Sequence, residues 1–319
     1  MTEVAGVRVG HWTDAEAGTG CTVIMPPPGT VGAVEVRGGG PATRDVDLLA
    51  PLASVAEVTA LLFSGGSAFG LDAASGVMRW CEERGLGHDT VAARVPIVPT
   101  ACIFDLGITG NARRPGPDDG YAACEALSDG PHAVGSVGAG TGATCGKLRA
   151  RDGWCKGGLG AGVRRLHDGT VVAALAVVNA WGDVLDGRGE VIAGAVDEDG
   201  RFMRAWERVV DSPPFHPRLA AEHTTLVCVV TDATLTRPGA ATVARMSHAG
   251  MARAVAPVHT PIDGDAAFCL ATGARPGSVF AVGVAAAEAV ADAIRDGVRS
   301  ARSVRGVPTA ADRAAAISG

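Results

Sequence analysis

The stretch AEHTTLVCVVTD, residues 221–232, is the part of the sequence from which the fold can best be worked out. A polar segment ends at His223, and a mostly β-branched apolar run follows from Leu226 to Val230. This run, closed by the turn-forming pair Thr231 and Asp232, predicts a short buried strand with hydroxyl side chains at its start. Thr224 then has two interpretations: it is an ordinary strand edge, or it is a nucleophile released by cutting the chain before it.

The composition is that of a globular chain with a large core. Of its 319 residues, 47% are hydrophobic and only 19% are charged, which suits one large α/β domain or two domains. The net charge of −6, without a basic cluster, argues against nucleic-acid binding. The low charged fraction also indicates that other subunits cover part of the surface.

Cysteine, histidine and hydropathy patterns bear on the cellular compartment, membrane spans and metal sites of the protein. The eight cysteines form no CxxC pair, which is typical of small buried side chains in a reducing compartment. The N-terminus MTEVAGVRVGHW lacks the apolar core of a secretory signal, and no run of about 18 apolar residues occurs. The dispersed histidines show no HxxxH or HExxH spacing. We therefore expect a cytoplasmic protein without a membrane span, metal site or cofactor.

The order of predicted elements favours a layered α/β protein. Predicted strands are Cys21–Met25, Gly32–Val36, Val58–Phe63, Val95–Phe104, Thr170–Val178 and Ala267–Ala271, and predicted helices are Ala68–Glu83, Gly120–Leu127, Thr236–Ala254 and Val279–Val298. The first two strands are expected to pair as a hairpin across PPPGT. Alternating strands and helices predict two sheets sandwiched between helices, an αββα arrangement in a single domain, 1–319.

Two glycine-rich segments have alternative interpretations. Arg37–Asp45, RGGGPATRD, is either a tight turn or backbone that approaches a site closely. Gly135–Gly146, GSVGAGTGATCG, is similar to phosphate-binding loops, but it lacks the last glycine of GxGxxG and no GK[ST] follows. A non-catalytic or nucleotide-binding protein that uses this loop remains an alternative.

Four polar features stand out from the apolar chain. They are Lys156 before a glycine-rich turn, Asn179 at a strand end, Thr224 at a strand start, and the pair Asp263 and Asp265. Each alone has an ordinary explanation, such as a solvated lysine or an Asx turn. Together they supply a hydroxyl, an amide, a cation and carboxylates, which are the groups that amide hydrolysis uses.

Ordered motifs along nearly the whole chain resemble one family. They are GVRVGHW, PPGTVGAVEVRGG, TRDVDLL, LLFSGGSAFGLDAASGVMRW, VPIVPTACIFDL, KGGLG, ALAVVNAWGDV, TTLVCVVTDATL and HTPIDGD. The chain resembles the self-processing aminopeptidases of the L-aminopeptidase/D-esterase type, which include β-peptidyl aminopeptidases and nylon-oligomer (6-aminohexanoate-oligomer) hydrolases. The resemblance implies a fold of the N-terminal-nucleophile type, hydrolysis of peptide or amide bonds, and a homotetramer.

The resemblance also implies self-cleavage before Thr224, which would give fragments 1–223 and 224–319. Threonine is a poor nucleophile without a base beside it. The cut creates an α-amine on the same residue, with a pKa of about 7.7–8.0, close to working pH. The family usually has Asn or Gly before the nucleophile, whereas this chain has His223. This imidazole either assists the cut by proton transfer or stalls it, and we expect the cut to occur.

The other polar features take their roles from the same resemblance. Asn179 would help to form the oxyanion site, Lys156 would lie beside the nucleophile, and Asp263 and Asp265 would orient it. Aspartate at both of the last positions looks more like the nylon-oligomer branch, since the β-peptidyl branch has Ser and Glu there. The expected substrates are short peptides, amino-acid amides or ω-amino-acid oligomers.

One alternative uses the same chemistry with another acceptor. The fold that the family implies is shared with self-cleaving ornithine acetyltransferases, in which an acyl-enzyme passes its acyl group to an amine instead of water. Acyl transfer therefore remains the alternative to hydrolysis.

Overall fold

The computed structural model describes residues 1–110, 113–211 and 223–318, so the first two residues of the opening stretch lie outside it. The strands in this part of the chain are β1 Arg8–Asp14, β2 Thr19–Met25, β3 Val31–Val36, β4 Ala42–Arg44, β5 Leu61–Ser64, β6 His88–Asp89, β7 Arg94–Val95, β8 Thr100–Cys102, β9 Thr144–Cys145, β10 Cys155–Lys156, β11 Gly158–Arg165, β12 Val171–Asn179, β13 Asp183–Leu185, β14 Val191–Ala193, β15 Thr224–Thr234, β16 Val255–Ala256 and β17 Ala266–Pro276. The α-helices are α1 Ala73–Glu83, α2 Leu106–Thr109, α3 Pro117–Glu125, α4 Ala205–Asp211, α5 Arg237–Ala254, α6 Val279–Arg299 and α7 Ala310–Ser318.

Two five-stranded sheets form the centre of the molecule. The first has the order β1-β2-β5-β8-β4, and the second has the order β11-β12-β15-β17-β3. In the second sheet, β15 pairs antiparallel with β12 and parallel with β17. The strand predicted from the opening stretch is therefore central in its sheet, which explains its continuous apolar run.

Strand β12 shows how the layers are stacked. Val171, Ala173, Leu175 and Val177 belong to a core shared with the first sheet, whereas the residues between them belong to a core shared with α5 and α6. Both sets are buried because successive side chains point to opposite faces of a sheet. A third core lies between the first sheet and helices α1 and α3. The order of layers is helices, sheet, sheet, helices, so the αββα prediction is confirmed.

A row of glycines on β11 lets α6 lie directly on the second sheet. A Cβ atom at Gly158 would lie 2.4 Å from the carbonyl oxygen of Gly297, and one at Gly160 would lie 2.2 Å from that of Ala293. Real Cβ atoms do not approach backbone that closely, so any larger residue would push the helix away. The glycines of the KGGLG motif thus bring strand and helix backbones into contact.

The predicted hairpin across PPPGT, between the strands now numbered β2 and β3, is wrong. β2 belongs to the first sheet, where it pairs with β1 and β5, and β3 belongs to the second, where it pairs with β17. The proline-rich connection therefore crosses between the sheets. Proline has no N–H to donate to a hairpin ladder, which favours a connection over a tight turn here.

Two further boundaries differ from the prediction. The segment predicted as a helix from Ala68 begins as a 3-10 helix, Ser67–Asp72, before α1. The strand predicted over Val95–Phe104 is reduced to β7 and β8, because the prolines within it interrupt pairing. In the residues that the structure covers, none of the helices combines the length and apolarity needed to cross a membrane.

Candidate active site

The register of β12 and β15 places Asn179 directly opposite Thr224. β12 ends at Asn179 and β15 begins at Thr224, and both residues are buried. In an antiparallel pair such residues have Cα atoms about 4.5–5.5 Å apart. The end of one apolar strand and the start of the next therefore bring an amide and a hydroxyl together inside the protein.

The carbonyl oxygen of the peptide bond before Thr224 accepts two hydrogen bonds. The Thr224 hydroxyl donates to the carbonyl oxygen of His223 at 2.5 Å, and the backbone N–H of Gly264 donates to the same oxygen at 2.7 Å. A Cβ atom at Gly264 would lie 2.7 Å from Thr224 Oγ1, so glycine permits this close approach. The Gly264 N–H polarises this carbonyl towards nucleophilic attack, and the Thr224 hydroxyl is held beside it.

The glycines of the Arg37–Asp45 segment pack on the loop that carries the two aspartates. The Gly40 N–H donates to the carbonyl oxygen of Asp263 at 2.8 Å, and a Cβ atom at Gly38 would lie 2.3 Å from that oxygen. Of the two interpretations of this segment, close approach of backbone is the one observed. The site of approach is the loop from Thr260 to Asp265.

Asp265 holds the start of β15 in position. Its Oδ1 accepts the N–H of Thr225 at 2.7 Å, and its Oδ2 accepts the backbone N–H of His259 at 2.9 Å. Oδ2 also lies 2.9 Å from His259 Nδ1. This carboxylate is therefore attached to the residue next to Thr224 and cannot move without moving the strand.

Asp263 lies on the same loop, where hydrogen bonds stabilise its carboxylate but burial and Asp265 oppose its ionisation. Its Oδ1 accepts the N–H of Trp181 at 3.3 Å, and its Oδ2 accepts the hydroxyl of Thr260. Burial, and then the charge of Asp265, raise the pKa of Asp263 to about 6. The carboxyl group thus changes its charge close to physiological pH.

The side chain of Asn179 is held by a lysine that the sequence analysis did not select. Asn179 Oδ1 accepts from Lys147 Nζ at 2.8 Å and from the N–H of Thr144 at 3.1 Å, and Nδ2 donates to the carbonyl oxygen of Phe104 at 3.1 Å. Because an ammonium group can only donate, it fixes which atom of the amide is the oxygen. Lys147 is thus the cation at the amide opposite Thr224.

Lys156 is held by backbone carbonyl groups of the glycine-rich segment Gly135–Gly146 and of its own neighbour. Its ammonium donates to the carbonyl oxygens of Gly140 at 3.0 Å, Ala143 at 2.6 Å and Gly157 at 2.9 Å. Burial lowers its pKa to about 7. The glycine-rich segment therefore turns carbonyl oxygens towards a cation, whereas phosphate-binding loops present N–H groups.

His223 occupies a small cleft with Lys147, Trp154, Phe104 and Ile108 among its walls. The ring is buried, and neither of its nitrogens has a hydrogen-bond partner among the described residues. Burial, and then the charge of Lys147, lower the pKa of His223 to about 2. The imidazole is therefore neutral at physiological pH and too weakly basic to take a proton from Thr224.

The structure brings four of the five predicted site residues together. Asn179, Thr224, Asp263 and Asp265 meet where β12 ends and β15 begins, whereas the Lys156 ammonium is bound to backbone carbonyls. Lys147 and the Gly264 N–H are the groups that the sequence analysis missed. Within the three described segments, no cluster of three or more His, Cys, Asp or Glu residues could hold a metal ion.

Comparison with known proteins shows what the whole chain is similar to. An uncharacterized aminopeptidase of Mycobacterium tuberculosis is 42% identical, over 98% of this chain and 97% of its own length. The 6-aminohexanoate-oligomer endohydrolase of Paenarthrobacter ureafaciens is 32% identical, over 84% of this chain and 73% of its own.

A solved structure shows the same fold. The L-aminopeptidase D-Ala-esterase/amidase of Ochrobactrum anthropi, described as a variant of the Ntn hydrolase fold, matches with a TM-score of 0.72 at 17% identity. The match covers 99% of this chain and 92% of that one. The fold of the N-terminal-nucleophile type is thus confirmed.

The model of peptidase family S58 matches residues 1–311. This match, together with the aminopeptidase and oligomer-hydrolase relatives, confirms the resemblance drawn from the sequence motifs. The chain belongs to peptidase family S58 and is a hydrolase of peptide or amide bonds.

Proposed function

We propose that the chain cuts itself between His223 and Thr224 and then uses Thr224 as an N-terminal nucleophile on peptides or amides. The observation that carries this proposal is the His223 carbonyl oxygen, which accepts from both the Thr224 hydroxyl and the Gly264 N–H. The bond to be cut is thus already next to its nucleophile and to a donor for the developing oxyanion.

The self-cleavage proceeds in two steps. Thr224 Oγ1 attacks the carbonyl carbon of His223, the C–N bond breaks, and the Thr224 nitrogen takes up the hydroxyl proton. The result is an ester between the His223 carbonyl and Thr224 Oγ1, with the Thr224 α-amine already free. Water then hydrolyses this ester to a His223 carboxylate and the regenerated Thr224 hydroxyl. The Gly264 N–H stabilises the oxyanion, a contribution of roughly 3–4 kcal/mol for one donor in comparable sites.

The α-amine is the base for each later turnover. With an unperturbed pKa of about 7.7–8.0, it accepts the hydroxyl proton as Oγ1 attacks the substrate carbonyl. The ionised Asp263 orients this amine, and Asp265 fixes the strand through the Thr225 N–H. Asn179, whose side-chain oxygen accepts from Lys147, lies opposite Thr224, and its side-chain amide helps to stabilise the oxyanion.

The two fragments, 1–223 and 224–319, stay associated after the cut. The second sheet takes β3, β11 and β12 from the larger fragment and β15 and β17 from the smaller one. Because the strands of the smaller fragment lie between those of the larger, separation would break two strand pairs of one buried sheet, β12 with β15 and β17 with β3. The nucleophile is thereby kept within the fold.

For substrate and assembly we propose ω-amino-acid oligomers or short peptides, and a homotetramer. The 6-aminohexanoate-oligomer hydrolase relative supports the first. Large apolar side chains left exposed on a single chain, Leu52, Phe69 and Phe280, support the second, because subunit contacts would cover them. Turnover of 6-aminohexanoate oligomers and light scattering test these two statements.

Denaturing mass spectrometry and N-terminal sequencing test the self-cleavage. Scaling 32.0 kDa by 223/319 and 96/319 gives expected fragments of roughly 22 and 10 kDa, the smaller beginning at Thr224. The Thr224→Ala variant should remain one inactive chain. Thr225→Val is the matched control, because the Thr225 hydroxyl has no partner among the described residues. An intact, fully active wild-type chain would contradict the proposal. Product analysis with an added acceptor amine separates hydrolysis from acyl transfer.

A further inference from the structure

Two histidines continue the hydrogen-bond network behind Asp265. His259 Nδ1 lies 2.9 Å from Asp265 Oδ2, and His259 Nε2 lies 3.2 Å from His248 Nδ1. His248 Nε2 lies 2.9 Å from the carbonyl oxygen of Glu35. The rings meet edge to face, with centroids 4.7 Å apart. A continuous chain of contacts thus runs from β3, through both rings, to the residue after Thr224.

Counting protons along this chain gives its charge. The Glu35 carbonyl can only accept, so His248 Nε2 must carry a proton. The contact between the two rings needs one proton, and the contact between His259 and Asp265 needs one more. Two neutral imidazoles and a carboxylate supply only two protons together, so the complete network holds three and has no net charge.

The third proton belongs on His259. Burial lowers the pKa of His248 to about 4, so this ring is neutral. Asp265 accepts the backbone N–H groups of Thr225 and His259, one at each carboxyl oxygen, so both oxygens already act as acceptors and the proton shared with His259 is placed on the ring. His259 is the most exposed of the three groups, with 18% of its side chain accessible, so water can solvate its charge.

We propose that His248 and His259 are positioning residues that keep an imidazolium against Asp265 and so leave Asp263 as the chargeable carboxyl of the site. The proposal rests on the proposed function of Thr224 and Asp263. The imidazolium offsets the charge of Asp265, the carboxylate closest to Asp263 in sequence and the one that opposes its ionisation. Without that offset, Asp263 would lose its proton only at higher pH.

Other charges surround this network. The charge of Arg37 lowers the pKa of His248, and Arg37 also pairs with the Glu35 side chain at 3.3 Å. The charge of Lys147 lowers the pKa of Asp263. The variants below leave these groups unchanged. A change in pH dependence can therefore be assigned to the two histidines.

The variant His259→Asn separates the charge of this residue from its shape. His259 has a left-handed backbone, φ 57°, which asparagine tolerates better than most residues. Its amide retains a donor for Asp265 but cannot be charged. His248→Leu removes the acceptor for His259, whereas His248→Asn restores one. His167→Asn, at an exposed histidine, is the matched control.

The first readout is the pH profile of kcat/KM for the self-cleaved enzyme. The acid limb should move up by about one pH unit in His259→Asn and in His248→Leu, less in His248→Asn, and not in His167→Asn. Unmoved acid limbs in the first two variants would overturn the proposal. If Thr224→Ala were active, the proposed function would fail instead, so the two failures are distinguishable.

The second readout needs no turnover of substrate and is made first on the wild-type enzyme, with His259→Asn used to assign the signal. In 15N magic-angle-spinning NMR of the histidine-labelled wild-type enzyme at pH 8, ordinary histidines, with a pKa of about 6.5, are neutral. One imidazolium should persist, and it should disappear in His259→Asn. A spectrum with neutral rings alone would overturn the proposal.

Discussion

The chain has two lysines, Lys147 and Lys156, among 28 basic residues, and both are buried. Their surroundings differ. Lys156 donates to three backbone carbonyl oxygens, whereas Lys147 donates to the side chain and carbonyl of Asn179, opposite Thr224. A cation bound to backbone carbonyls braces a loop. A cation bound to a side-chain amide opposite Thr224, the proposed nucleophile, sets the geometry and the charge around that residue.

The difference explains why an arginine-rich chain retains lysine at these two places. A lysine ammonium is a compact charge that fits a small cage of acceptors, whereas the planar guanidinium group needs more room. The three carbonyl groups around Lys156 form such a cage. Lys147 reaches Asn179 past Trp154, with its ammonium 5.7 Å from the ring centroid.

The largest expected effect that separates the two lysines is that of Lys147→Met on activity. We expect kcat/KM and the rate of self-cleavage to fall by roughly 10²–10³, because the variant frees the Asn179 amide and removes the positive charge near Asp263. Lys147→Arg retains the charge and should lose less. If Lys147→Met stayed within twofold of wild type while Lys156→Met was inactive, the roles assigned to the two lysines would be reversed.

Lys156→Met should act on stability instead. The variant removes three hydrogen bonds to backbone carbonyls, and we expect the free energy of unfolding to fall by about 1–3 kcal/mol. Urea denaturation in the Thr224→Ala background, where the chain is expected to stay whole, measures this loss. Lys147→Met in the same background is the control, and an equal loss there would remove the contrast.

The pH dependence of stability sharpens the same contrast. Because the pKa of Lys156 falls from 10.5 unfolded to about 7 folded, the unfolded chain binds more protons between those values. Stability contributed through this residue therefore rises with pH across that window and is constant below it. The wild-type minus Lys156→Met difference in unfolding free energy should grow by about 2 kcal/mol from pH 7 to pH 9. A difference independent of pH would show that Lys156 is charged throughout.

Much of the architecture could be predicted from local patterns. The predicted strand Thr170–Val178 is observed as Val171–Asn179, and the predicted helix Val279–Val298 as Val279–Arg299. Both segments have long apolar or alanine-rich runs whose burial agrees with their intrinsic preference. The predicted hairpin between β2 and β3 is wrong because the partner of β3 is β17, more than 200 residues away, and pairing over such a distance leaves no local signal.

The site was predicted in part, for a reason that the two lysines make clear. Asn179 and Thr224 stand at the ends of recognisable strands, so their meeting follows from the pairing of those strands. Which lysine reaches Asn179 depends on how the loop before β10 folds back. The sequences around Lys147 and Lys156 do not by themselves distinguish which of the two lies there. The scarcity of lysine is the signal that could have identified Lys147: because the arginine-rich chain has only two lysines, both are candidates for the site.

The smallest expected effect concerns the ring beside Lys147. Trp154→Leu removes the aromatic face near the ammonium, an interaction of about 0.5–1 kcal/mol, so kcat/KM should fall about two- to fivefold. Trp154→Phe retains a face and should lie between wild type and Trp154→Leu, although both variants lose the indole donor to Arg149. In the Lys147→Met background, Trp154→Leu should have no further effect on kcat/KM, because the charge that the ring attracts is gone. Equal losses of kcat/KM in both backgrounds would show that Trp154 acts through the shape of the His223 cleft and not through Lys147. The double-mutant cycle gives the interaction energy between Trp154 and Lys147 directly.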